Sequence, residues 1–294
     1  MKTGYVAAAL ITAMALGHGA ALAQKPENVL KPTSPWTVSP AQDSCILSRQ
    51  FAGAKDNLLL RMRSFSPGYN FDFTLAGPPV SKFRSARDIF IAYGSGAPLP
   101  FLPLASGVLE AHGPAIIFNS NMSLGQLEEA DQAYPDAALE GSIRRISISV
   151  GKQDLVLDTG SIGPTMNAMR NCTDELLASW GLDPNVQANL SRPVKALNSD
   201  AVNALITADD PPQAVRSLGG IARLHLRVMV NATGAPTECK TLPTDGVPGF
   251  EVNACDIVMK NARYSPALNE HQQPVPSYFM TAIVFATPEF FRPR

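Results

Sequence analysis

Residues 211–285 read PPQAVRSLGGIARLHLRVMVNATGAPTECKTLPTDGVPGFEVNACDIVMKNARYSPALNEHQQPVPSYFMTAIVF, and this stretch decides how the C-terminal part of the chain folds. Leu224, Leu226, Val228 and Val230 alternate with His225, Arg227 and Met229. A period of two marks a strand with one buried face. On that reading His225 lies opposite Leu224 and Leu226 and belongs to the surface. Asn231-Ala232-Thr233-Gly234 supplies turn chemistry, with Gly234 free to take a positive φ. Pro236 to Leu242 then returns as the second strand of a hairpin. From Gly249 to Ala262 the apolar residues Phe250, Ala254, Cys255, Val258 and Ala262 fall at helical spacing. Pro266 disfavours helix at Ser265 and ends that segment. Tyr278 to Phe285 closes the stretch as an apolar strand, so the expected unit is ββαβ.

Upstream the pattern changes. Residues 24–35 are polar and Pro-rich and read as a flexible leader. From Trp36 onward, short apolar runs alternate with turn residues: NLLLRMRSF, YNFDFTL, DIFIAY and AIIF. Ile143 to Val150 and Asp154 to Leu157 flank Gly151-Lys152, a two-residue hairpin signal. Many short strands with Gly and Pro between them point to an antiparallel sandwich or barrel. Pro164 to Trp180 reads as the one clear helix of this region, with Met166, Met169, Cys172, Leu176 and Trp180 on one face. Gly181 is a suitable stop for it. The expected layout is a β-rich domain over 36–182, a linker over 183–204 with a short helix near Asp200 to Ile206, and the ββαβ unit over 205–290. The fold class is α+β: a sandwich- or barrel-like N-terminal domain ending in one helix, followed by the small ββαβ domain.

The bulk properties narrow the function. A net charge of −1 gives no electrostatic footprint for nucleic acid. Met1-Lys2 followed by GYVAAALITAMALGHGAALAQ reads as a signal peptide over 1–23, with Ala21-Leu22-Ala23 as the cleavage site. Once cleaved, the protein belongs in the periplasm or outside the cell, and it is tied to a membrane only if the segment is retained. No metal or cofactor site is read: the cysteine spacings are not those of a zinc site. Glu128-Glu129-Ala130-Asp131 lacks the spacing and glycine of a calcium loop and reads as a solvated helix face.

The most conspicuous motif is Leu155-Val156-Leu157-Asp158-Thr159-Gly160-Ser161, which resembles the active-site signature of aspartic proteases. That chemistry needs two aspartates sharing a proton. The chain holds a single such motif, and a helix begins a few residues later at Pro164. The plainer reading makes Asp158 to Ser161 a turn that leaves a strand and caps the helix. A periplasmic hydrolase using Asp158 stays open as the second functional class.

Taken in order, DDPPQA, then GGIARLHLRVMVNATGAPTECKTL, the helix, ARYSPAL, Pro274-Val275 and the closing strand resemble the C-terminal domain of TonB-family energy transducers. The resemblance implies a non-enzymatic binding module that recognises a short peptide by adding it to a sheet edge. Here Tyr278, Met280, Ala282 and Val284 of the last strand would mark that edge. The implied partner is an envelope protein or peptide segment, such as one of an outer-membrane receptor, and the implied context is TonB-type transport. The transducers' membrane helix and long Pro/Lys-rich spacer have no counterpart in this pattern, so an adaptor role fits better than energy transduction. Four cysteines allow three pairings in an oxidising compartment. Cys239–Cys255 is favoured because it would staple the second strand of the TonB-like unit to its helix, which leaves Cys45–Cys172 for the first domain.

Overall fold

The computed structural model describes residues 29–53, 57–83, 89–101, 104–122, 137–151, 153–207, 215, 221–242 and 253–287. The expected signal peptide and the acidic cluster at Glu128 to Asp131 lie outside these residues. The N-terminal half runs β1 (Val29–Pro32), β2 (Thr37–Ala41), β3 (Ser44–Ala52), β4 (Asn57–Ser64) and β5 (Asn70–Ala76). It continues with β6 (Ile89–Tyr93), β7 (Leu99–Phe101), β8 (Ala105–Leu109), β9 (Gly113–Asn121), α1 (Ala137–Ser142), β10 (Arg145–Val150), β11 (Gln153–Asp158) and α2 (Gly163–Ser179). Then come α3 (Pro184–Ala188), β12 (Lys195–Ala196), α4 (Ser199–Ile206), β13 (Ile221–Val230) and β14 (Pro236–Leu242). The chain closes with α5 (Ala254–Asn261), β15 (Tyr264–Ser265), β16 (Ala267–Leu268), β17 (Pro274–Val275) and β18 (Ser277–Ala286).

The barrel-like N-terminal domain is a single curled sheet of 11 strands, half of a barrel, in the order β7-β6-β10-β11-β1-β3-β4-β5-β9-β8 with β2 on β3. Strand β1 is its seam. It pairs in parallel with β11 through Val29–Val156 and Leu30–Leu157, and antiparallel with β3 through Lys31–Ala52 and Pro32–Phe51. The stretch expected to be a flexible leader therefore contributes a sheet strand, because Leu30 is apolar and 0% exposed between its two neighbours. Leu60, Phe73, Ile91, Ile148 and Leu157 join it in one core. Helix α2 packs on β2 and β3 and adds Met166, Met169 and Cys172 to that core. The six-residue α1 is an additional helix that short-range periodicity did not reveal. It is held by Glu140, 1% exposed, in an ion pair with Arg170 of α2 at 2.7 Å.

The C-terminal unit is ββαβ with the sheet order β14-β13-β18. Its hairpin turn is built by Asn231, whose Oδ1 accepts from the Thr233 and Ala235 amides. Gly234 sits there at φ 83°, and a Cβ would meet the Tyr264 carbonyl oxygen at 2.4 Å, so no other residue fits. The even-numbered residues Ala222, Leu224, Leu226, Val228 and Val230 of β13 pack in one core with Ala254 and Val258 of α5. Val202 and Ile206 of α4 join the same core, and β12 pairs with β15. Residues 183–204, expected as a linker, thus supply elements that pack on the C-terminal unit.

The cysteines are joined as Cys45–Cys172 and Cys239–Cys255, the favoured pairing. The first ties α2 to β3 across 127 residues, and the second ties β14 to α5 across 16. Closing the longer loop removes more unfolded-state entropy. Replacing Cys45 and Cys172 by Ser is therefore expected to cost about 2 kcal/mol more stability than replacing Cys239 and Cys255, as read by chemical denaturation.

Candidate functional site at the domain junction

β13 has a second face, and it is not at the surface. Arg223, His225, Arg227 and Met229 point away from the helices, and His225 and Arg227 are 6% and 5% exposed. The placement of His225 at the surface is corrected here. The N-terminal half-barrel covers that face and supplies partners for its charges. His225 Nε2 donates to Asp72 Oδ2 at 2.7 Å, and Asn119 Nδ2 donates to Asp72 Oδ1 at 2.9 Å. The Phe65 ring lies on the imidazole with centroids 4.5 Å apart. Arg227 donates to Glu238 at 2.9 Å and reaches Asp43 at 3.4 Å, and Lys240 also meets Asp43, at 2.8 Å. The Arg227 guanidinium lies 4.3 Å from the centroid of the Trp180 ring. Such a contact is worth up to about 2 kcal/mol when shielded from water. Trp180, the residue that ends α2, also meets Tyr278 edge-to-face at 5.3 Å.

The electrostatics at Asp72 are set by competing causes. Burial pushes its carboxyl up, but hydrogen bonds from His225 and Asn119 and the charges of His225 and Arg223 outweigh that. The net effect holds it below the usual carboxylate range, so Asp72 is ionised and accepts both bonds. A buried charge without its partner is strongly unfavourable. The two domains therefore present matched, mutually dependent charges to one another.

The strand-edge residues read from the sequence lie together on β18. Tyr278, Met280, Ala282 and Val284 pair with Met229, Arg227, His225 and Arg223, which places all four on the side facing the half-barrel. They differ in exposure. Tyr278 is 2% exposed and packs with Leu177 and Leu182, so its side chain belongs to the domain junction. Met280 packs at the border of that cluster. Ala282 lines a cleft between the domains, and Val284 is 48% exposed. Among the described residues β18 pairs only with β13, so its other border carries no strand.

The sequence reading missed Asp43, Asp72, Trp180, His225 and Arg227 as a connected set. A signal was present at Asp72: it alternates with Phe71 and Phe73, yet both faces of β5 are buried, as its burial from Phe71 to Ala76 shows. A charge in a strand covered on both sides demands a partner.

Asp158 has a structural place. It ends β11 beside the seam strand, where its carboxylate accepts from Lys31 Nζ at 2.6 Å and from the Gly160 amide at 3.4 Å. The Lys31 hydrogen bond chiefly holds its pKa below the ordinary value, against the raising effect of burial. The neighbouring Thr159 carbonyl accepts from Arg49 at 2.8 Å and from the Trp36 indole at 3.4 Å. The expected cap on α2 is corrected: its N-cap is Ile162, with no side-chain hydrogen bond to the helix. The DTGS stretch is a junction of β1, β3 and β11.

This geometry defines a small antiparallel sheet with both faces covered and, among the described residues, no strand beyond β18. Residues 211–287 match the family model of the Gram-negative bacterial TonB protein C-terminal. The family is one of the Gram-negative envelope and is non-enzymatic in general. No curated protein and no solved structure matches the chain. No helix among the described residues is long and apolar enough to cross a membrane.

Three outcomes follow from the site. Replacing Asp72 by Ala should cost about 3 kcal/mol, since it removes the acceptor of the buried His225 ring and leaves Asn119 only its bond to the Phe71 carbonyl. Because Asp72 titrates below its unfolded value of about 3.9, its contribution is present above that pH and lost as acid protonates the folded carboxylate. Asp72→Asn should therefore flatten the acid limb of stability below about pH 4 in denaturation series at stepped pH. Asp158→Asn, by contrast, removes an ion pair whose side chains are 66% and 32% exposed, and should shift the denaturation midpoint by less than about 1 kcal/mol.

Proposed function

We propose that the protein is a periplasmic binding or adaptor module that engages an extended segment of an envelope protein by strand addition to the outer border of β18. One observation carries this reading. The two borders of the C-terminal sheet are built differently. β14, with sequence PTECKTL, carries Pro236, Glu238 and Lys240, and its register with β13 shifts at Met229/Val230. Those are the devices by which proteins blunt an edge strand against pairing. β18, with sequence SYFMTAIVFA, contains no charge and no proline, and it pairs with β13 over ten consecutive residues without a bulge. An edge of that kind is a template for another strand.

TonB C-terminal domains in general meet outer-membrane receptors, and an envelope partner of that kind fits the edge described. The junction contacts fit a static module, since the sheet is gripped from both faces while among the described residues no strand pairs with the other border of β18. The Asp158 ion pair with Lys31 lends nothing to a hydrolytic role.

A photo-reactive amino acid placed at Val284 in cells should cross-link to one defined segment of an envelope protein, mapped by mass spectrometry. The same group at Phe90, which is 37% exposed on the half-barrel, serves as the control. Equal cross-linking from both positions, or none from Val284, contradicts strand addition at β18.

A further inference from the structure

Two cavities border β18, one on each side of the sheet. On the helix side, a small cavity is lined by Val202, Ile206, Phe279, Thr281 and Ile283. On the half-barrel side, a cleft of about 210 Å³ is lined by Phe65, Ser66, Asn70, Asn119, Arg223 and Ala282, among others. Thr281 borders both. A strand added to β18 must send alternate side chains to opposite faces of the sheet. A residue directly beside Ala282 points the same way as Ala282, into the cleft. Alanine at that position leaves the cleft open, where a larger side chain would fill it.

The cleft is rich in donors. The carboxylate of Asp72 at its base already accepts from His225 and Asn119. Arg223 contributes a guanidinium to the lining, and burial there lowers its pKa against the raising effect of Asp72. At the rim, Ser66 and Asn70 make no side-chain hydrogen bond among the described residues. A hydroxyl, a carboxamide and a guanidinium around one space match an acceptor-only group. Charge-assisted bonds to such a group are about twice as strong as neutral ones.

Building on the strand-addition reading, we infer that the half-barrel is part of the peptide site. It selects a segment that places an aspartate or glutamate beside Ala282, with the carboxylate between Ser66, Asn70 and Arg223. Recognition is then shared: β18 binds the main chain of the segment, and the cleft reads one side chain.

The test uses the full chain and a random decapeptide display library as the probe. Peptides enriched on the protein should carry an acidic residue at one fixed position. Alanine at that position should weaken the leading synthetic peptide about tenfold. Asn70→Glu, at an exposed site on the half-barrel, should weaken the acidic peptide to a similar degree and leave its alanine version unchanged. Ser66→Asp provides an independent second variant with the same expected pattern. Competition by the peptide against cross-linking from position 284 reports whether β18 is engaged. Peptides that compete but show no acidic preference, or that ignore both variants, overturn the cleft assignment and leave strand addition standing. Absence of any enriched peptide, or peptides that bind without competing at position 284, overturns strand addition at β18 and the cleft assignment with it.

Discussion

The structure depends on a single constraint: one face of β13 carries Arg223, His225 and Arg227, and it is buried at His225 and Arg227. Charge can be removed from water only against opposite charge and hydrogen bonds. Asp72, Asn119 and Asp43 of the half-barrel provide these, together with Glu238 from the adjacent hairpin strand. The C-terminal sheet is therefore docked on the N-terminal domain by matched polar groups, with Trp180 laid over the Arg227 guanidinium and Phe65 against the His225 ring. Neither domain presents this surface satisfactorily without the other.

With one face under α4 and α5 and most of the other under the half-barrel, the two borders of the small sheet are where, among the described residues, a partner's main chain could pair. The chain treats them unequally. Glu238 and Lys240 on β14 are drawn into the junction network, and Cys239 of that strand is tied to α5. Among the described residues β18 pairs only with β13 and carries no charge or proline. The half-barrel is held by its own seam, where Lys31, Arg49 and Asp158 tie β1, β3 and β11 together, and by the Cys45–Cys172 link to α2. Since α2 ends in the tryptophan that meets Tyr278, the seam, the helix and the edge strand form one connected support.

Much of the C-terminal fold was legible because its signals are local. The alternation from Leu224 to Val230, the Asn231–Gly234 turn and the spacing of Ala254, Cys255 and Val258 each need only a few neighbouring residues. The disulfides followed once those elements were placed. What the sequence did not show was which polar faces are covered. Alternation separates His225 and Arg227 from Leu226, but a charged face docked on a second domain has the same period as one facing solvent. Strand β1 was missed because four residues with a terminal proline carry no periodic signal, and its place as a seam depends on β3 and β11 from distant sequence. The same holds for the DTGS stretch. Its resemblance to a catalytic loop is a matter of residue type, whereas its partners Lys31 and Arg49 lie 127 and 110 positions away.

The central claim is that the outer border of β18 is bare in the free protein. Amide hydrogen exchange of the full chain, resolved residue by residue over 277–286, tests it most directly. In an antiparallel edge strand every second amide is bonded inward and the others face out. The account predicts alternating slow and fast exchange along β18. Uniform protection of consecutive amides through this strand would show its border already occupied by the chain itself and would contradict the account.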